Sequence, residues 1–128
     1  MKRVTGLGGV FFKCNDPEGM KDWYNKHLGI DAGKYGTTFA WRSVDEPEKT
    51  CQTAWNIFPM TTKYFSPSTK EHMFNYRVEN LRALFDVLRA EGVSIVGEIE
   101  ESEYGKFGWI VDPEGNKIEL WEPVDEKL

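Results

Sequence analysis

Residues 9–29, GVFFKCNDPEGMKDWYNKHLG, and residues 73–92, MFNYRVENLRALFDVLRAEG, decide the fold because they are two versions of one pattern. Each begins with a short aromatic and β-branched run that is typical of a strand, and each continues into a helical pattern. Asp16 and Asn80 are suited to capping the two helices, and a glycine ends each one. A strand–helix unit that occurs twice predicts one pseudo-symmetric domain made of two modules.

Three strand candidates follow each helix, so each module is predicted to be β-α-β-β-β. In the second module these candidates are residues 93–97, 107–111 and 117–121, and a turn at residues 112–116, DPEGN, joins the last two. In the first module they lie near Ala32 and at residues 37–42 and 53–58. We therefore predict an α+β domain over residues 1–128, with modules at about 4–60 and 70–124.

The composition excludes several classes of protein. The chain has 128 residues, of which 14% are aromatic, which fits one folded domain and is too aromatic for a disordered chain. No apolar run is long enough to span a membrane, and the N-terminus lacks the apolar region of a signal peptide, so we expect a cytoplasmic protein. The net charge of −5 argues against a nucleic-acid partner.

Three stretches resemble the vicinal oxygen chelate superfamily, which includes glyoxalase I, bleomycin-resistance proteins and extradiol dioxygenases. These stretches are residues 4–13, VTGLGGVFFK, residues 23–29, WYNKHLG, and residues 111–123, VDPEGNKIELWEP. The resemblance implies tandem βαβββ modules whose mixed sheet curls around a central cleft. It also implies a homodimer.

The resemblance further implies a divalent metal, held by a ligand in the first strand and a glutamate in the last strand of each module. Counting from the helix starts and from the strand ends places Gly9, Trp55, Met73 and Glu119 at those four positions. Only Glu119 is an oxygen donor, and a thioether is too soft a ligand for magnesium, manganese or nickel. His72 is one residue away from the ligand position, so it is expected on the opposite face of its strand. We therefore expect neither a catalytic metal nor another cofactor.

Strand alternation predicts which side chains line the cleft. Several indoles, a methionine and a few polar groups suit a small organic molecule that is partly aromatic or hydrophobic. The alternative is that the same aromatic side chains fill the cleft as core. The predicted ligand-binding residues are Phe11, Trp41, Trp55, Met73, Asn75, Arg77, Trp109 and Trp121.

Glu119 is the one candidate catalytic residue, and two interpretations remain open for it. An apolar cleft would suit it to general base catalysis, whereas a structural ion pair with Arg77 or Arg42 would neutralise it. Three functions follow from these choices. The first is small-molecule binding without the usual metal, and the second is a glyoxalase-like lyase or isomerase that uses Glu119 as its base. The third is an interaction module with a filled cleft.

Overall fold

The computed structural model describes residues 2–127, which form one mixed sheet of seven strands with two helices packed on one face. Neither helix in this range has the length and apolar character needed to cross a membrane. The elements are β1 (Val4–Cys14), α1 (Pro17–Leu28), β2 (Thr37–Arg42), β3 (Thr50–Pro59), β4 (His72–Val78), α2 (Leu81–Ala90), β5 (Ser94–Ser102), β6 (Gly105–Val111), β7 (Lys117–Pro123) and a short C-terminal 3₁₀ turn (Asp125–Lys127).

The strand order of the sheet reflects the sequence repeat. The strand order is β2-β3-β1-β4-β7-β6-β5, and the sheet is not closed. The first strands of the two modules, β1 and β4, pair antiparallel at the centre. On either side, β1 pairs in parallel with β3 and β4 pairs in parallel with β7. This mixed sheet confirms the predicted α+β class.

The helices begin and end where their caps predict. The Asp16 side chain accepts a hydrogen bond from the Gly19 amide at 3.1 Å, and Asn80 accepts one from the Ala83 amide at 3.1 Å. Gly29 ends α1 in the left-handed conformation, with φ of 70°. This conformation carries little steric penalty only for a residue without a side chain.

The two modules differ in how well their helices are packed. The apolar side of α2 is buried against β5, β6 and β7. On α1, by contrast, Trp23 is 51% exposed and Leu28 is 59% exposed. Module two therefore carries the larger core. Its buried members are Val78, Leu81, Leu84, Phe85, Leu88 and Leu120.

The strand predicted near Ala32 does not form, which is a correction to the sequence analysis. Gly33 and Gly36 instead close a tight turn through two backbone hydrogen bonds of 3.1 Å. Residues 29–36 are too few to run along the sheet and back, whereas residues 91–104 in module two are long enough to include β5. Module one is therefore β-α-β-β, and β2 is left as an edge strand.

The sheet has a helix face, which carries α1 and α2, and an opposite face that we call the inner face. A second hydrophobic cluster covers the inner face, made of Phe11, Met73 and Trp109 from the strands and Phe65 from the linker between the modules. Phe65 is fully buried, so the linker, residues 60–71, packs into the inner face.

We expect Gly108→Ala to destabilise the protein. A β-carbon at this position of β6 would overlap the ring of Phe85 in α2, which is itself almost fully buried. Overpacking of this kind costs about 1–3 kcal/mol. The measurement is urea unfolding of the variant beside wild type.

Gly33→Ala is the matched control, because a β-carbon there meets no atom within 4 Å. It should change the free energy of unfolding by less than about 0.5 kcal/mol. Equal effects of the two alanines would contradict this account of how α2 packs on β6.

Candidate functional site

Glu119 lies at the centre of the inner face, between two neighbouring strands. In the parallel pairing of β4 with β7, Asn75 lies beside Glu119. In the antiparallel pairing of β6 with β7, Trp109 lies on its other side. Because the side chains of paired residues share a face, these three converge at one point.

The Glu119 carboxylate is 3% exposed and is satisfied by three neutral donors. Its Oε1 accepts a hydrogen bond from Asn75 Nδ2 at 2.5 Å. Its Oε2 accepts one from Trp109 Nε1 at 2.9 Å and another from the hydroxyl of Tyr64, which belongs to the linker. Hydrogen bonds to an ionised acceptor are the strong ones, and they compensate for removing a charge from water.

Neither arginine considered in the sequence analysis pairs with Glu119. Arg77 binds Asp125 instead, and Arg42 donates to the carbonyl oxygen of Pro47 at 3.1 Å. Neutral hydrogen bonds therefore take the place of the ion pair that was one of the two interpretations of Glu119. The reason is position, because Arg77 lies two residues beyond Asn75 on β4, nearer the C-terminal turn.

Two further residues complete the surroundings of Glu119. Burial and the neighbouring Glu119 charge raise the pKa of Tyr64 far above its usual value, so its hydroxyl stays protonated and donates. Lys117 donates to the carbonyl oxygen of Tyr64 at 2.7 Å, and its Nζ lies 5.3 Å and 5.5 Å from the ring centroids of Tyr64 and Trp109. Burial lowers the pKa of Lys117, although the charges of Glu119 and Glu100 act in the opposite direction.

Asn75 is held against the backbone of β1. Its side chain is 2% exposed, and its Oδ1 has no hydrogen-bond partner among residues 2–127. A β-carbon at Gly8 would overlap this oxygen, and Gly8 lies where the pairing of β1 with β4 is irregular. The glycine therefore provides the space in which the Asn75 amide turns its nitrogen towards Glu119.

Arg77 connects the two modules at another part of the inner face. Its guanidinium is 5.4 Å from the ring of Trp41 on β2 and 5.5 Å from the ring of Trp121 on β7. It also donates to the carbonyl oxygen of Gln52 at 3.0 Å and to both carboxylate oxygens of Asp125, at 2.8 Å and 2.6 Å. Arg77 is therefore buried, stacked and neutralised at once.

Two cavities open next to these groups. The smaller has a volume of about 230 Å³ and is lined by Tyr64, Glu100, Glu101, Ser102, Phe107 and Trp109. The larger, of about 470 Å³, is lined mostly by charged and polar side chains, with Trp41 and Arg77 among them. The smaller cavity thus lies beside the Glu119 network, since Tyr64 and Trp109 belong to both.

The predicted ligand-binding residues do not form one pocket. Trp109 lines the smaller cavity, whereas Trp41 and Arg77 line the larger one. Phe11 and Met73 are buried in the inner cluster, and Asn75 is buried on Glu119. Trp121 stacks between Arg77 and Phe107, whose ring centroid is 5.6 Å away.

Trp55 lies on the helix face, which corrects its predicted place in the cleft. Its ring is 5.7 Å from that of Phe12 and 5.1 Å from that of Tyr24 in α1. The parallel pairing of β1 with β3 sets Trp55 beside Val10, and this places it on the helix side. The residue that occupies the place of Glu119 in module one is Asn56, because it pairs with Phe11 as Glu119 pairs with Asn75.

Sequence reasoning missed Tyr64, Lys117 and Phe107. Alternation along β7 and β6 from Glu119 and Trp109 would have found Lys117 and Phe107, which lie on the same face. Tyr64 carries no such signal, because it lies in an irregular linker and meets Glu119 only in the folded chain.

The metal positions implied by the resemblance do not form a ligand set. Gly9 offers no side chain, Met73 is a buried thioether within the inner cluster, and the amide oxygen of Asn56 accepts a hydrogen bond from the Ile57 backbone at 2.9 Å. Between residues 2 and 127 no three histidine, cysteine, aspartate or glutamate side chains converge as possible metal ligands. The donor set therefore does not fit a divalent metal.

Comparison with known proteins relates the whole domain to one family. Residues 6–120 match the family model described as the glyoxalase/bleomycin resistance protein/dioxygenase superfamily. A comparison with curated proteins gives no match.

Solved structures give the same fold. Methylmalonyl-CoA epimerase from Mycobacterium tuberculosis is 22% identical with a TM-score of 0.63, over 99% of this chain and 93% of that one. The Streptomyces coelicolor methylmalonyl-CoA epimerase in complex with 2-nitronate-propionyl-CoA is 12% identical with a TM-score of 0.69, over 94% and 99%. The Mn(II)-bound glyoxalase from Novosphingobium aromaticivorans is 16% identical with a TM-score of 0.63, over 95% of this chain and 40% of that one.

We expect Glu119→Gln to destabilise the fold strongly. In glutamine, an NH₂ group replaces one of the two carboxylate oxygens. At least one of the three donors then faces another donor and is left buried without an acceptor. Each such loss costs about 1–3 kcal/mol. Urea unfolding at neutral pH measures the effect.

Glu114→Gln makes the same chemical change on an exposed turn and should be close to neutral. If Glu119→Gln were as harmless as this control, the three hydrogen bonds would not hold the inner face together.

Proposed function

This chain belongs to the glyoxalase/bleomycin resistance protein/dioxygenase superfamily, and from that membership we propose that it binds a small organic molecule without a divalent metal. The proposed site is the cavity of about 230 Å³ beside Glu119. The ligand we propose is a flat aromatic cation.

One observation carries the proposal: the walls of this cavity combine aromatic rings with carboxylates. Tyr64, Phe107 and Trp109 supply the rings, and Glu100 supplies the negative charge, while Glu101 is paired with Arg82 at 3.1 Å. Lys117 already lies over the rings of Tyr64 and Trp109, so the sides of the rings that it does not occupy are the ones proposed for stacking and cation–π contact. Carboxylates at the rim attract a positive group.

The volume limits the size of the ligand. Pockets for drug-sized molecules occupy about 300–1,000 Å³, so a cavity of about 230 Å³ suits a molecule with one ring or two small ones. The larger cavity, of about 470 Å³, has the volume of a ligand site but a lining of mixed charges. Ligand sites are predominantly apolar with a few polar groups, which favours the smaller cavity.

We propose that Glu119 has a structural role in the site and does not act as a base. Both of its oxygens accept hydrogen bonds, and its side chain is 3% exposed behind Tyr64 and Trp109. A general base must reach the proton that it removes, directly or through one water. The lyase or isomerase alternative is therefore the less supported one.

A CoA ester, the ligand named for some of the similar structures, is not the ligand that we propose for this cavity. The Streptomyces coelicolor epimerase was solved with 2-nitronate-propionyl-CoA. CoA esters carry several negative charges, and the charged side chains that line the cavity, Glu100 and Glu101, are also negative. Repulsion between like charges supports a cationic ligand instead.

A filled inner face supports a second candidate function, that of an interaction module. Phe65 is fully buried and Met73 is 1% exposed, so this part of the inner face holds core in place of a cleft. An interaction module would use its outer surface and leave the small cavity without a ligand.

We also propose that the protein is a homodimer, as the sequence resemblance implies. Several large apolar side chains are exposed, and their burial against a second chain would be favourable. Those with the largest exposed fractions are Val44, Tyr35, Leu28, Val4 and Trp23.

The ligand prediction uses benzamidine and benzoate, which have nearly the same shape and opposite charges. We expect benzamidine to change the tryptophan fluorescence saturably, because Trp109 lines the cavity, and benzoate to have no such effect. Glu100→Gln should weaken benzamidine binding by about two- to fivefold, the effect of one exposed charge contact.

Glu103→Gln, an exposed change just beyond β5, is the control and should leave benzamidine binding unaltered. If neither compound gives a saturable change, the cavity is not a ligand site and the interaction module becomes the better account.

The metal prediction concerns protein purified without a metal column and without chelator. We expect elemental analysis to find no stoichiometric zinc, nickel, manganese or iron, because three of the four superfamily positions offer no suitable donor. Any one of these metals at near-stoichiometric level in the folded wild type would overturn this prediction.

A further inference from the structure

The two edges of the sheet are protected very differently. The β5 edge carries Glu98, Glu100 and Glu101, and its pairing with β6 is interrupted after Val96, where Gly97 has a positive φ of 68°. Charges and bulges of this kind keep an edge strand from pairing with another chain. The β2 edge, TTFAWR, has neither a bulge nor a charge before its last residue, Arg42.

The internal repeat shows what is missing at β2. In module two, β5 pairs antiparallel with the outer side of β6. In module one the corresponding residues form the Gly33–Gly36 turn, so no strand within residues 2–127 lies on the outer side of β2. Module one therefore lacks the strand that would pair antiparallel with the outer side of β2, as β5 pairs with β6 in module two.

We infer that this position is filled by β2 of a second copy of the chain, in an antiparallel pair about a two-fold axis. The inference rests on the proposed homodimer and names its interface. A strand that pairs with its own copy forms a self-complementary contact that closes at two subunits. Main-chain hydrogen bonds would supply the pairing, as in other cases of strand addition to a sheet edge.

The side chains around β2 suit such a pairing. An axis at Phe39 sets Arg42 opposite Gly36, and an axis at Ala40 sets it opposite Thr38, so neither register opposes like charges within the strands. Both registers bring the start of one β2 near the end of the other. Lys34 is exposed and precedes β2, and Glu46 follows β2. In the pair, Lys34 of one copy therefore lies near Glu46 of the partner subunit.

The same arrangement covers the two most exposed large apolar side chains of the described residues. Tyr35 precedes β2 and is 84% exposed, and Val44 follows β2 and is 93% exposed. In an antiparallel pair about a two-fold axis, Tyr35 of each copy lies near Val44 of the other copy. Phe39, which is also exposed, then lies near the axis.

The test is sedimentation of the wild type and of Ala40→Lys. Wild type is expected at about twice 14.8 kDa at tens of micromolar. Ala40 is exposed, and a lysine there sets like charges opposite each other near the axis, so the variant is expected at the monomer mass. Phe39→Lys, at the neighbouring position, is expected to have the same effect.

Glu98→Lys on the guarded β5 edge is the matched control and should leave the dimer intact. Amide hydrogen exchange gives a second readout. Some amides of residues 37–42 should lose protection on dilution to the monomer, because their outward N–H groups are then exposed to water.

A wild-type monomer would overturn the inference, and so would a dimer that survives both lysine variants. A dimer without concentration-dependent protection in β2 would place the interface elsewhere. Ligand binding is a separate matter, because the cavity beside Trp109 lies on β5 and β6 at the other end of the sheet. Monomeric Ala40→Lys should bind benzamidine as wild type does, so failure of either proposal is recognisable without the other.

Discussion

The buried carboxylate of Glu119 is the constraint on which the inner face depends. A buried charge is costly unless donors surround it, and here the donors come from β4, β6 and the linker between the modules. Each donor fixes a different part of the chain with respect to β7. The hydrogen bond from Tyr64 holds the linker on the inner face, where the adjacent Phe65 is buried against Phe11 and Met73.

This arrangement also determines which chemistry the site can perform. In a metal-dependent member of the superfamily, as the resemblance implies, a glutamate at this position would face an ion. Here the same position faces an indole, an amide and a phenol, and its counterpart Asn56 bonds to the backbone. The carboxylate thus lies behind Tyr64 and Trp109, two of the side chains that line the small cavity, and holds them in place through hydrogen bonds.

The sequence predicts the local features well and the pairing of distant segments poorly. The caps at Asp16 and Asn80 are confirmed, because capping depends on residues within one turn. Trp55 was misplaced because its face depends on the register of β3 against β1, and counting back from the end of the strand does not determine that register. The predicted strand near Ala32 failed because the connection is too short. The partners of Glu119 and Arg77 come partly from the linker and the C-terminal turn, which no periodic pattern predicts.

The layered contact of Phe107, Trp121, Arg77 and Trp41 has a mechanical consequence. It runs from β6 and β7 in module two to β2 in module one, and the bonds of Arg77 to Gln52 and Asp125 fix the guanidinium in the middle. The rings of Phe107 and Trp121 are stacked with an interplanar angle of 9°, and the ion pair with Asp125 anchors the guanidinium beside them. The contact therefore couples β2 of module one to β7 of module two through a single side chain, Arg77, whereas the small cavity is lined by the linker and by β5 and β6 of module two.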